Sequence, residues 1–263
     1  MRSLFALFAL FALLPSSAWA GPIIVSGDEN ITNPLVGNSI AVNPGNQRFF
    51  ANVLGAGTRV VVQGTDVSAF DAPVTNINTF YNTLPGVTST IQAGLVTPAS
   101  LAGVNLFVSA IPATPFTAAE VAALGAFSTA GGSIFLLGDG ATFPPGALGD
   151  TNLNALLVGL GSGLRILPAN LDSGFRTVGG SQIASTPLTT GVTSFTYAFT
   201  SQVTGGTPQF FTSGGQTFIA AEGVVGPGPA PIPEPATLAV FGLVGAAGFG
   251  YVRRRLTGAP VAA

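Results

Sequence analysis

The side chains that could do chemistry in this sequence are carboxylates and hydroxyls. Ser26, Asp28 and Glu29 follow one apolar run, Ser109 closes a second, and Asp139 stands between Gly138 and Gly140 after a third. If these runs are strands of one parallel sheet, the five residues meet at the strands' carboxyl ends, where open α/β sheets hold their ligands. A crevice of this kind offers oxygen ligands to a polar molecule or a hard cation such as calcium. It could also supply Asp or Ser to a hydrolytic reaction. The same residues have a structural use, because Asp beside Gly readily caps a turn through neighbouring main-chain N–H groups. A paired-carboxylate glycosidase has no support beyond the presence of two acids.

The missing residue types narrow the chemistry further. The chain has no His and no Cys, and all eight cationic residues are Arg. Ser-His-Asp and Cys-His nucleophilic sites and imidazole zinc sites are therefore absent. Without Lys there is no Schiff base and no phosphate-binding lysine of the Walker type. The sequence implies no cofactor and no resident metal, and a calcium-stabilised adhesin would carry repeated Asp-rich loops that are not found here. A structural or binding role is the expectation, with a hydrolase or a ligand- or calcium-binding protein as the alternative.

Between Gly21 and Ile232 nine carboxylates face four arginines (Arg48, Arg59, Arg165, Arg176), a net charge of −5. A mildly acidic surface without clustered cations excludes nucleic acid and anionic lipid as partners of this region. The single Trp, Trp19, lies in the leader, so no Trp remains as a sugar platform. Phe49-Phe50 and Phe210-Phe211 read as core.

The elements that must position these residues follow from periodicity. Ile23–Ser26, Arg59–Val62, Leu101–Ala110 and Ser133–Leu137 are apolar runs of strand type, and Thr88–Gln92 is an additional edge strand. Helical stripes lie between them: Phe49, Phe50, Val53, Leu54; Ile77, Phe80, Tyr81, Leu84; Val121, Leu124, Phe127. Thr117 and Glu120 form a capping box, with Phe116 stapled onto Val121. Asp150 starts a fourth helix carrying Leu153, Leu156, Leu157 and Leu160, and Leu164–Leu167 is a short strand. From Thr193 the alternation of Phe195, Tyr197 and Phe199, followed by two further Phe-rich runs, predicts a β meander capping the sheet. The expected fold class is α/β: a three-layer flavodoxin- or Rossmann-like, mostly parallel sheet with a C-terminal meander and a C-terminal transmembrane helix.

Both ends of the chain carry delivery signals. Residues 1–20 join Arg2 to the run LFALFALFALL and finish in Ala18-Trp19-Ala20, the form of a signal peptide cut before Gly21 by signal peptidase. Residues 21–225 are the exported domain and 226–232 a Gly/Pro linker. In 233–255, Pro233-Glu234-Pro235 is an extended element that an enzyme cleft can read. The uncharged segment 236–252 then spans roughly 25 Å as a helix. Arg253, Arg254 and Arg255 form a cytoplasmic stop by the positive-inside rule, leaving 256–263 as a cytoplasmic tail.

The order Pro-Glu-Pro, apolar helix, arginine cluster resembles the PEP-CTERM sorting signal of exopolysaccharide-making Gram-negative bacteria. That resemblance implies an exosortase as partner, membrane anchorage through the helix, then a cell-surface or extracellular location with a link to exopolysaccharide. The TGAPVAA that follows the arginines is longer than the usual short end of such signals. The stretch from Leu101 to Asp139, with TPLTTGV at 186–192, resembles the class I glutamine amidotransferase-like superfamily. Active members of that superfamily place a Cys at the strand-to-helix elbow and a His farther on. Gly138, Asp139 and Gly140 stand at the elbow here, which implies the scaffold without its reaction.

Overall fold

Apolar runs flanked by helical stripes must bury both faces, and the chain does so with helices on either side of one sheet. The computed structural model describes residues 20–33, 40, 42–64, 72–140 and 144–224, all within the first of two compact units, which ends at Val224. Residues 1–19 and 225–263 lie outside the described residues. They hold Ala18, the linker, the expected transmembrane segment and the motif residues Pro233, Glu234, Pro235 and Arg253 to Arg255. No helix among the described residues is long and apolar enough to cross a membrane.

Among the described residues, nine strands and four α-helices follow one another. They are β1 (Ile23–Ser26), α1 (Pro44–Leu54), β2 (Arg59–Gln63), α2 (Pro73–Thr83), β3 (Thr88–Gln92), β4 (Leu106–Ala110), α3 (Ala118–Thr129), β5 (Ser133–Leu137), α4 (Pro144–Gly159), β6 (Arg165–Gly179), β7 (Ser194–Thr204), β8 (Thr207–Phe211) and β9 (Thr217–Glu222). The main sheet has the order β3-β2-β4-β5-β1-β9-β8. Its first five strands are parallel, and β9 and β8 extend it antiparallel beyond β1. The expected set Val60–Val62, Leu106–Val108 and Ile134–Leu137 sits side by side at the centre, and Thr88–Gln92 forms the edge.

The order of the parallel strands differs from a simple Rossmann expectation in one respect. The chain steps from β2 out to β3, then crosses back over β2 to β4 and on to β5, so the strand order reverses between β2 and β4. The first strand of the chain is not at that reversal. It lies two positions away, between β5 and β9.

Each face of the sheet has its own core. On one, α1 and α2 cover Ile24, Val60, Val62, Leu106, Val108, Phe135 and Leu137. On the other, α3 and α4 cover Val25, Val61, Phe107, Ile134 and Leu136. The alternation of these residues along each strand is the period of two that sends neighbours to opposite faces. Phe49 anchors the first core, its ring edge-on to Phe135, Phe195 and Phe210 at centroid distances of 5.9, 5.5 and 5.1 Å. Each such pair adds about 0.5–1.5 kcal/mol beyond its burial. In the second core, α3 starts where its sequence says it should. The Thr117 hydroxyl accepts from Glu120 N, and the Glu120 carboxylate accepts from Thr117 N at 2.9 Å.

Three expectations are corrected. α4 begins at Pro144, not at Asp150, so Asp150 is an interior helical residue whose carboxylate is free to reach elsewhere. The short strand at Leu164–Leu167 is the start of a 15-residue strand, β6, whose register against β7 shifts twice, between Leu167 and Leu171 and between Leu171 and Phe175. The C-terminal strands are not one meander: β7 pairs with β6 as a separate ribbon, while β8 and β9 join the main sheet. Phe195 and Tyr197 stack on Phe210 and Phe218, which lays the ribbon over the antiparallel end of the sheet. The apolar alternation breaks at Phe199, which adopts φ 48° and is 40% exposed.

Candidate functional site

The carboxyl ends of β1 and β5 bring Ser26, Asp28 and Asp139 together, as their positions after the apolar runs suggest. Ser26 accepts from Asp28 N at 3.1 Å and donates its hydroxyl to Asp28 O at 2.8 Å, closing a tight turn after β1. Asp28 is fully buried, with Oδ1 accepting from Asn30 N at 2.7 Å and Oδ2 from Ala198 N at 2.8 Å. Asp139 Oδ1 accepts from Gly140 N at 2.6 Å and from Asn30 Nδ2 at 3.2 Å. Asn30 therefore spans the two acids, holding Asp28 with its main chain and Asp139 with its side chain. Glu29 is buried beside them at the start of a one-turn 3-10 helix, Asn30–Thr32.

Ser109 is not part of this group. It lies on β4, separated from β1 by β5, and donates its hydroxyl to Gln63 Oε1 at 2.7 Å. That pair marks the carboxyl ends of β2 and β4, which is where the strand order reverses. The expected five-residue crevice is thus divided, because β1 sits at the margin of the parallel strands and not at their centre.

Sequence reasoning missed two members of the cluster. Asp150 reaches from α4 to accept from Asp139 N at 3.0 Å through Oδ1, and its Oδ2 lies 3.1 Å from the Ser201 hydroxyl. Ser201 comes from β7, whose N–H donates to Gly27 O and whose hydroxyl lies 2.7 Å from Asp139 O. No local signal announces either residue: Asp150 has the look of a helix cap, and Ser201 is one polar residue in a strand. The approach of Asp150 does leave a trace in the glycines. A Cβ at Gly138 would stand 2.2 Å from Asp150 Oδ1, and one at Gly140 2.1 Å from Phe199 O. The Gly-Asp-Gly run at the elbow therefore serves close packing around Asp139.

Burial governs the electrostatics. Loss of solvent pushes the Asp28 carboxyl well above the usual carboxylate range. The main-chain donor at Ala198 opposes that rise, and the neighbouring Asp139 reinforces it. Burial likewise raises Asp150 to about 7 against the pull of Asp139 N and the Ser201 hydroxyl. In neutral form the Asp150 hydroxyl can donate to Ser201 Oγ, while Ser201 donates to Asp139 O. Glu120 behaves in the opposite sense: burial pushes it up, but donation from Val96 N, Thr117 N and the Thr117 hydroxyl outweighs this and lowers it.

A second polar group ties the ribbon to the β8–β9 turn. The hydroxyls of Tyr197 and Ser213 both donate to Asp172, a residue at φ 54°, and Ser213 N donates to Tyr197 Oη. Arg176 Nε stands 4.0 Å from Asp172 Oδ1.

Chemically, both clusters hold loops. Asp28 and Asp150 turn their oxygens to main-chain N–H groups or to Ser201. Among the described residues no three His, Cys, Asp or Glu side chains are grouped so as to hold a metal.

Comparison with known proteins places the clearest functional signal elsewhere in the chain. The profile of the PEP-CTERM protein-sorting motif matches residues 231–255, which contain Pro233, Glu234, Pro235 and the three arginines. The chain therefore carries a PEP-CTERM sorting signal, which implies an exosortase as its processing partner and a secreted surface protein as the product. No curated protein matches the chain. Among solved structures, the mmIFT52 N-terminal domain is similar at 19% identity and a TM-score of 0.45, over 64% of this chain and 81% of that one.

Proposed function

We propose that this protein is delivered across the inner membrane by an N-terminal signal peptide and held by an apolar helix at 236–252. An exosortase then sorts it to the surface or the extracellular matrix, where its α/β domain has a non-catalytic structural or binding role linked to exopolysaccharide. The sheet is, on this reading, a glutamine amidotransferase-like scaffold whose reaction is closed by the absence of Cys and His. What the structure itself supplies is the coarser architecture, five parallel strands with helices on both faces of the sheet.

The observation that carries the non-catalytic reading is the Asp28–Asn30–Asp139 knot. A carboxylate that acts on a substrate must present an oxygen to it, whereas both oxygens of Asp28 accept main-chain N–H groups from two different segments. Asp150, with a carboxyl near 7, has the titration a hydrolase would use. It is only 5% exposed and spends its oxygens on Asp139 N and Ser201.

The test is to express the full chain in an exosortase-bearing host and in one lacking that enzyme, and to follow its location and mass. Processing and release that depend on the exosortase support the reading. In parallel, replacing Asp139 by Asn should leave binding to the host's own exopolysaccharide unchanged. Loss of that binding in a protein with wild-type melting behaviour would favour a ligand-binding crevice.

A further inference from the structure

The start of the described chain sits in a tight socket. Gly21 is buried while Ala20 is exposed, so the boundary between solvent and interior falls at the Ala20–Gly21 bond. Gly21 N donates to Ser128 O at 2.7 Å, and the Ser128 hydroxyl donates back to Gly21 O at 3.1 Å. Ser128 lies in the last turn of α3, whose final carbonyls carry the negative end of the helix dipole. The socket admits only glycine: a Cβ on Gly21 would stand 2.1 Å from Gly132 O. It opens on a cavity of about 570 Å³ lined by Gly21, Val121, Gly125, Ser128 and Glu222 among others, and Glu222 is the one ionisable side chain among the described residues of that lining.

We infer that cleavage before Gly21 creates a structural group: the new α-ammonium docks on Ser128 O at the carboxyl end of α3 and seals the mature N-terminus into the fold. This rests on the signal-peptide reading and extends it. In the precursor the same nitrogen is a neutral amide with one hydrogen. After cleavage it is a cation with three, placed where a helix end favours positive charge, while Glu222 on the same cavity wall accepts from the Ser162 hydroxyl and Gly163 N. Signal peptidase asks for small residues at Ala18 and Ala20, while the glycine that follows them is demanded by the folded domain.

The composition provides a direct probe. With no Lys in the chain, the α-amine is the only primary amine of the mature protein. The experiment purifies the exported protein, fixes its first residue by mass spectrometry, and measures the rate of N-terminal labelling by an amine-reactive acetyl ester, native and in urea. A Gly21 terminus labelled at least tenfold more slowly in the native state is the expected result. Protein acetylated while unfolded and then refolded should melt roughly 2–4 °C lower, since the acetyl group occupies the exposed place of Ala20 and removes only the charge. Gly21→Ala should relieve the protection. A chain beginning at another residue would overturn the maturation reading and the docking together. A Gly21 terminus labelled equally fast in both states would overturn the docking alone.

Discussion

Asp150 Oδ1 accepts the main-chain N–H of Asp139 at 3.0 Å, joining the middle of α4 to the loop after β5 across a gap that only Gly138 leaves open. The carboxyl that makes this link is buried and titrates near 7, which makes the joint sensitive to pH. A carboxyl whose folded value is raised stabilises the protein fully below its unfolded value, near 3.8, and loses that contribution as pH rises through about 7. Asp150→Asn keeps the acceptor for Asp139 N and offers Nδ2–H to Ser201 Oγ. It should match the wild type near pH 4 and be more stable by an order of 1–4 kcal/mol at pH 8. Urea denaturation at the two pH values measures this, and a difference that does not widen with pH would contradict it.

Asp28 is expected to respond in the opposite way to the same substitution. Both of its oxygens face N–H donors, so an amide at this position must turn its NH₂ toward either Asn30 N or Ala198 N. Asp28→Asn should therefore cost about 1–3 kcal/mol, the usual penalty for a buried donor left without an acceptor. Equal stability of Asp28→Asn and wild type at pH 7 would show that the knot does not hold the loop.

At Gly138 the constraint is steric. A Cβ there meets Asp150 Oδ1 at 2.2 Å and Ile166 Cδ1 at 2.8 Å, and both belong to elements packed against the sheet. Gly138→Ala should destabilise the domain by about 1–3 kcal/mol. Combined with Asp150→Ala, which opens the space, it should cost less than the sum of the two changes. A double-mutant cycle read from urea midpoints checks the coupling.

At the start of α3, Thr117→Ala removes the acceptor for Glu120 N and one of the donors that lowers Glu120. The expected loss is about 0.5–2 kcal/mol. Because the Glu120 carboxyl is lowered, its own contribution is present above its unfolded value and fades as pH falls through the folded one. Glu120→Gln should therefore lose most stability near neutral pH and least in acid, as thermal melts at pH 7 and pH 3 would show.

Local pattern made much of this fold legible. The strands at Val60, Leu106 and Ile134 are short apolar runs buried on both faces, and the Thr117–Glu120 box needs only a spacing of three. The place of β1 in the sheet was not legible, since lateral order depends on which long crossovers pack, and the residues of β1 fit a central or a marginal position equally well. The same blindness divided the expected crevice and left Ser109 with Gln63. β7 was legible as a strand from Phe195 and Tyr197 but not as the partner of β6, and β6 beyond Leu167 escaped because register shifts at Leu167/Leu171 and Leu171/Phe175 interrupt the period of two. Asp150 and Ser201 escaped because their partners are 11 and 62 residues away from them in sequence, at Asp139.

The central claim, that the stretch 231–255 is read by an exosortase while the domain before it folds independently of that motif, is tested most directly by one variant. Glu234→Ala, in the full chain and in a host carrying the enzyme, should leave the melting temperature of the α/β domain unchanged and should abolish processing. The unprocessed protein would then be found in the membrane fraction by immunoblot. Cleavage and release of Glu234→Ala at the wild-type rate would contradict the account.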